Sequence, residues 1–255
     1  MASKKEILKA FDDDTVYYAD NKFITNSALK LLKESPTKFY LKSKGMWSQP
    51  GNDAFDVGHA IHALFLENKT IHTSWDGTRR GAEYQKFCKD NPDTIVLTQK
   101  NGSIVDGMYD KLQKSKDVEE LMGISFKPEV PMIMDYKSDA GNVIPMKGKA
   151  DALVFDGISE YIVDLKTTRD PISKWARDAR WNYAQQAYIY TTLFGIRDFK
   201  FLVIQKEFPY DVGIFHVTED FLDFGEAQFK ESIRMYEKLF IDGEFKPYSA
   251  IIGQL

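Results

Sequence analysis

The sequence lacks most of the features that would place it at a membrane or outside the cell. It has one cysteine, Cys88, among 255 residues, which excludes an internal disulfide and suits a reducing, cytoplasmic setting. No apolar run approaches the roughly 18 residues that would cross a bilayer. Nor is Met1-Ala2-Ser3-Lys4-Lys5 followed by the apolar core of a secretory signal. Excess positive charge is also missing. With a formal net charge of −4, the chain exerts no overall attraction on nucleic acid, and any such grip must come from local basic patches and metal ions. Internal repeats, low-complexity segments and long linkers are absent. What remains is core-building material, 43% hydrophobic and 14% aromatic, enough for one large domain or two small ones.

The most informative stretch is residues 147–168, K-G-K-A-D-A-L-V-F-D-G-I-S-E-Y-I-V-D-L-K-T-T. Two apolar runs, 150–155 and 161–165, flank Asp156-Gly157-Ile158-Ser159, a turn of the kind that joins antiparallel strands. Each run carries a carboxylate where a buried strand would have an apolar residue, Asp151 and Asp164. Side chains alternate along a strand, so Asp164 and Lys166 share a face, and pairing across the turn can bring Asp151 to the same end. Two carboxylates and a lysine converging beside an apolar sheet are what a metal-dependent phosphodiesterase requires. Mg²⁺ takes hard oxygen ligands and keeps several waters, and it polarises a phosphate while acidifying water. Lys166 would orient that water, accept its proton if its own pKa is lowered, or neutralise developing charge. The plainer reading has two strand-end aspartates in solvent, with Lys166 as a gatekeeper charge.

The rest of the chain supplies context. Residues 1–24 give weak signals and are expected to be partly irregular. A helix over 28–34, capped by Asn26 or Ser27, stops at Ser35-Pro36. Lys38, Lys42 and Lys44 interleave with Phe39, Tyr40 and Trp47, as a stacking surface or a solvated helix face would. Residues 53–68 read as a helix with Ala54, Gly58, Ile61, His62 and Phe65 on one buried stripe and His59 off it. Histidine on such a stripe is ordinarily a hydrogen-bonded core residue, although Gly58 one turn earlier permits close backbone approach. Arg79 and Arg80 precede a helix over 82–89, where paired guanidinium forks and free N–H groups can grip a phosphate or simply line a surface loop. Another polar-faced helix is expected near 104–114. Glu129 stands near the start of the first sheet strand, 129–135, and 138–142 turns the chain toward the hairpin. A long helix, capped by Asp170-Pro171 or Ser173, runs to Phe194 and stops at Gly195. On it Gln186 interrupts a stripe of Ala176, Ala179, Tyr183 and Tyr190, and Lys174, Arg177 and Arg180 form a basic row. Strands at 201–206 and 212–217 and a helix over 218–240 follow. The order of elements implies a mixed α/β fold.

Taken in order, G-H-A-I-H-A-L-F-L-E at 58–67, Glu129, G-K-A-D-A at 148–152, D-L-K-T-T at 164–168 and Tyr183-x-x-Gln186-x-x-x-Tyr190 resemble the PD-(D/E)XK nucleases. The branch they resemble is the RecB-like one, and within it the RecE-type (exodeoxyribonuclease VIII-like) phage exonucleases. The resemblance implies a restriction-endonuclease-like core, a mixed central sheet flanked by helices, within one domain at 25–245 followed by a tail at 246–255. It implies that His62 joins Asp151 and Asp164 at one or two Mg²⁺ or Mn²⁺ ions, that Lys166 is the catalytic lysine, and that Glu129 lies beside the site or binds a second metal. It further implies that Gln186 and Tyr190 position the site and the DNA. His59, where relatives often carry a small residue, is left without a role. The implied activity is digestion of linear double-stranded DNA from an end, 5′ to 3′, leaving a 3′ overhang for a single-strand annealing protein, in ring-like homo-oligomers. Alternatives are a structure-specific or CRISPR-associated endonuclease (a single cysteine excludes the four-cysteine cluster of the iron–sulfur branch), a catalytically silent DNA-binding scaffold, or a metallohydrolase of small phosphodiesters.

Overall fold

The computed structural model describes residues 3–48, 53–92 and 94–246, so almost all of the 246–255 tail lies outside the described residues. Its first part is helical: α1 (Lys4–Ala10), α2 (Asp14–Ala19), α3 (Asn26–Glu34), α4 (Pro36–Ser43) and α5 (Asp53–Leu66). Then come β1 (His72–Trp75), α6 (Ala82–Asp90), β2 (Ile95–Thr98), α7 (Gln99–Lys114) and α8 (Lys116–Leu121). The second part holds β3 (Ser125–Lys137), β4 (Val143–Phe155), β5 (Glu160–Thr168), α9 (Ile172–Phe194), β6 (Phe199–Gln205), β7 (Val212–His216) and α10 (Glu219–Tyr236), closed by a π-helical turn at Glu237–Ile241. No helix among the described residues is long and apolar enough to cross a membrane.

The main sheet has the order β3-β4-β5-β6-β7. Only β5 and β6 are parallel, as they must be when α9 carries the chain back between them. Alternation along β5 sorts its side chains onto two layers. Tyr161, Val163 and Leu165 join α5, α7 and α8 in one core. Ile162 faces Trp175, Ala179 and Ala187 of α9 in another. A third core packs α3 and α4 against Ile144, Met146 and the ends of α9 and α10.

The alternation fails at one place, and it is the place that matters. Ala150 packs in the α9-side core and Ala152 in the α5-side core, so β4 rolls over at Asp151. There β4 also parts from β5, the paired residues ending at Ala152 opposite Val163. Beyond this fork the free edge of β4 is taken by Ile24, whose N–H donates to the Pro145 carbonyl (2.8 Å) while Lys147 N–H donates to the Ile24 carbonyl (3.0 Å).

Several expectations need revision. Residues 3–24 include two capped helices, Ser3 accepting from Glu6 N–H and Asp13 from Thr15 N–H, with Phe11 and Tyr17 buried against Ile133. A small parallel sheet of β1 and β2 was not anticipated, because two four-residue runs carry too little periodicity to register. The α3 helix is capped by Thr25, and α9 begins after Pro171 with no side-chain cap. The buried face of α5 is Val57, Ala60, Ile61, Ala63 and Leu66, one position round from the expected stripe. That rotation leaves Gly58 and His62 only partly covered, on the side facing the fork. In α4, Phe39 is buried while Lys38 and Lys44 lie over Trp47 and Tyr40, 5.9 and 5.7 Å from the ring centres.

Candidate metal and catalytic site

Three acids line up across the fork. Asp151 stands between Ala150 and Ala152, whose partners on β3 are Val130 and Pro128, so Glu129 lies opposite it. Glu129 has φ 50°, a left-handed conformation that costs a non-glycine residue about 1 kcal/mol or more, and the ladder is interrupted there. On the other side, continuing the register places Asp164 opposite Asp151. In place of a backbone pair, the Leu165 N–H donates to Asp151 Oδ2 at 2.9 Å. From α5, His62 Nδ1 comes to 3.5 Å from the same oxygen.

His62, Glu129 and Asp151 thus each offer a ligand atom within 4.8 Å of the other two. One imidazole and two carboxylates form a donor set suited to a divalent cation such as Mn²⁺ or Mg²⁺. Their protonation shows the strain of holding such groups together. Burial first, and then the Asp151 charge, push Glu129 up to about 8. Burial raises Asp151, partly offset by Lys166. Burial and the Lys166 charge lower His62 to about 4, leaving its imidazole neutral and able to bind metal. A cation at this point would favour the charged form of both carboxylates and meet an imidazole that is already neutral.

Asp164 is fully buried and is not one of the three. Its Oδ1 accepts from Gln186 Nε2 at 2.6 Å, and Oδ2 is ion-paired with the Lys166 ammonium. Burial raises the Asp164 pKa to about 6 despite that partner. For Lys166, burial disfavours the charge, but Asp164 and Asp151 outweigh it and the net shift is upward. In the metal-free site Lys166 is therefore held as a cation by the two carboxylates. Its ammonium also lies 5.5 Å from the Tyr183 ring centre.

Gln186 is buried, and Asp164 is the partner that a glutamine inside an apolar stripe requires. Tyr190 packs over Gly148, where a Cβ would come within 3.1 Å of its ring and 2.7 Å of Leu193. At Gly58 the need is weaker, since a Cβ would meet Thr167 at an ordinary 3.6 Å. His59 is exposed, 6.1 Å from the Phe55 ring, and takes no part in the three-residue cluster.

The basic residues fare less uniformly. Arg79 does not act jointly with Arg80. Its guanidinium is committed to Asp53 at 2.7 Å, the Val96 carbonyl at 3.2 Å and the Tyr84 hydroxyl at 3.4 Å, so it ties α5 to β2 while Arg80 is exposed. On α9, Lys174 pairs with Asp170 at 2.6 Å, Arg177 with Asp178 at 3.1 Å, and Arg180 lies over Phe224. Reading the sequence missed Lys147 and Lys149, both buried on β4. It missed Lys30 as well, 5.1 Å from the Tyr183 ring centre and lowered to about 8 by burial and by Lys166. The signal available was K-G-K at 147–149 in a strand that otherwise reads as core.

Residues 25–251 match the model of a PDDEXK-like domain of unknown function, DUF3799. The chain belongs to this PDDEXK-like family. Its fold is the restriction-endonuclease-like one, as a five-stranded mixed sheet flanked by helices also shows. The crystal structure of a "putative exonuclease" from Eubacterium rectale is similar over 96% of this chain and 88% of its own, with a TM-score of 0.64 and 17% identity. At that identity the likeness speaks for the fold. A structure of SSO0001 aligns over 98% of both chains at 12% identity and a TM-score of 0.41, too low to carry weight. Comparison with the curated proteins gives no match.

Proposed function

We propose that this PDDEXK-like protein is a metal-dependent deoxyribonuclease that digests linear double-stranded DNA from an end. The observation that carries the reading is the convergence, at one fork in the sheet, of the His62–Glu129–Asp151 donor set with the Gln186–Asp164–Lys166 chain. A divalent cation held by His62, Glu129 and Asp151, with the buried Asp164 carboxylate beside them, would supply charge neutralisation at the phosphate and acidify a water.

The protein's own groups do the remaining work. Lys166 stays protonated, orients the attacking water and offsets charge that builds on the phosphate oxygens. Asp164 holds that ammonium in place, and Gln186 fixes Asp164 so that neither swings away. His62, neutral at physiological pH, adds a ligand without adding charge. Tyr190, seated on Gly148, sets the spacing of α9 from β4. Grip on DNA falls to exposed cations, Arg80 and the Lys174–Arg177–Arg180 row. Solvent-exposed ion pairs such as those of Lys174 and Arg177 are worth only about 0–1 kcal/mol, so phosphates can replace Asp170 and Asp178 as partners. The finer reading, by resemblance to RecE-type enzymes, is 5′ to 3′ digestion leaving a 3′ overhang for an annealing protein, by a ring-like oligomer.

The test is timed digestion of end-labelled linear duplex with Mg²⁺, Mn²⁺ or EDTA, beside covalently closed circles. Metal-dependent loss of the linear duplex with the circles intact is expected. Rapid cutting of closed circles by a monomer would replace end resection with endonuclease action, and no cutting of any DNA would remove the nuclease reading.

A further inference from the structure

Residues 3–24 precede the family match, yet they are bound to the strand that carries Asp151. The Lys147 side chain, 3% exposed, donates to the Asp20 carbonyl at 2.7 Å and to the Tyr17 carbonyl, and lies 4.5 Å from the Tyr17 ring centre. Lys149, two residues from Asp151 along β4, is ion-paired with Asp14 and lies 4.9 Å from the Tyr17 ring centre. These contacts clamp α2 beside the fork. Next to Tyr17, edge-on to it with ring centres 5.1 Å apart, is Tyr18. The Lys149 ammonium is 6.0 Å from its ring centre.

Tyr18 combines two properties. Its side chain is 71% exposed. Yet surrounding protein, and then the carboxylates of Glu129, Asp14, Asp151 and Glu67, raise its phenol to about 12. An open ring face beside Lys149, two residues along β4 from Asp151, is placed to meet a strand that approaches the site. The edge-to-face partner fixes its plane, so little rotamer freedom is left to lose when something lies against it. Flat aromatic faces beside a lysine are how proteins hold unpaired nucleotides without reading sequence.

We propose that Tyr18 is a substrate-positioning residue whose ring stacks on a nucleobase of the strand entering the metal site, with α2, clamped to β4 and packed with α1 against β3, serving as its mount. The inference rests on the nuclease reading and adds a residue outside the family match to the site.

The experiment uses the full chain and a linear duplex with 2-aminopurine at its end. Base stacking is followed by fluorescence with Ca²⁺ in place of Mg²⁺, and KM and kcat are measured with Mg²⁺. Wild type should quench the probe. Tyr18→Ala should lose the quenching and raise KM about tenfold, the lower part of the range for one stacked base, with kcat within about twofold and an unchanged melting temperature. Tyr18→Phe, which keeps the ring, should recover both quenching and KM. Wild-type quenching and KM in Tyr18→Ala, a loss confined to kcat, or failure of Tyr18→Phe to rescue would each overturn the proposal. Wild type that neither binds nor cuts DNA would overturn the nuclease reading itself, and this inference with it.

Discussion

Glu129→Gln should stabilise the metal-free protein while impairing its capacity to hold metal, and the size of the gain should depend on pH in a defined way. The Glu129 pKa rises from 4.5 to about 8 on folding, so the folded protein resists its ionisation. The associated cost is absent below about pH 4.5, grows as pH rises, and is complete above about pH 8. At 1.36 kcal/mol per unit the cost reaches at most about 5 kcal/mol at high pH and about 3 kcal/mol at pH 7. Glutamine cannot ionise and keeps the same shape and φ. In EDTA the variant should therefore melt with wild type near pH 4.5 and well above it at pH 7. At about 2–4 °C per kcal/mol for a chain of this length, the gap at pH 7 should be at least about 6 °C. Added Mg²⁺ or Mn²⁺ should raise the wild-type melting temperature at pH 7, since a ligand that binds only the folded state stabilises it, and raise that of the variant much less. Melting curves by circular dichroism at the two pH values, each with EDTA and with metal, provide all the comparisons. Equal melting of the two proteins at pH 7 in EDTA, or equal stabilisation of both by metal, would refute the reasoning.

Lys166→Ala should lower cleavage by about 10²–10³-fold for the loss of a preorganised charge, and near wild-type turnover in Mg²⁺ would remove its assigned role. His62→Ala should raise the Mn²⁺ concentration for half-maximal activity more than it lowers the melting temperature, whereas a purely structural histidine would do the reverse. Gly148→Ala should destabilise by about 1–3 kcal/mol, because its Cβ would press into Leu193 at 2.7 Å and the Tyr190 ring at 3.1 Å; chemical denaturation checks this. Replacing two residues of the Lys174–Arg177–Arg180 row with alanine should weaken duplex binding for all sequences and flatten the salt dependence by about 0.9 for each phosphate no longer gripped, as measured by anisotropy across a salt series.

Much of the fold was legible in the sequence. The Asp156–Ser159 turn, the apolar runs around it and the Gly195 stop located the central hairpin and α9. Gln186, out of character on an apolar stripe, pointed to a polar partner, and that partner is Asp164. The break at Asp151 was not legible, because strict alternation is the assumption by which strands are read, and here β4 rolls over between Ala150 and Ala152. The resemblance named His62, Glu129, Asp151 and Asp164 as metal donors together; that the first three cluster while Asp164 turns to Lys166 was not legible. The left-handed backbone of Glu129 has no residue signature, since glutamate is not chosen for positive φ. Nor could composition reveal that α2 is clamped to β4, because the lysines that hold it read as surface charge until their burial is seen.

The place of the metal decides between a working site and a buried polar cluster. Crystals soaked with Mn²⁺ and measured at the manganese absorption edge would locate the ion directly. An anomalous peak is predicted within ligand distance of His62, Glu129 and Asp151, lost in Asp151→Asn. A peak elsewhere in the molecule, or none at this fork in a protein that still cuts DNA with Mn²⁺, would contradict the assignment.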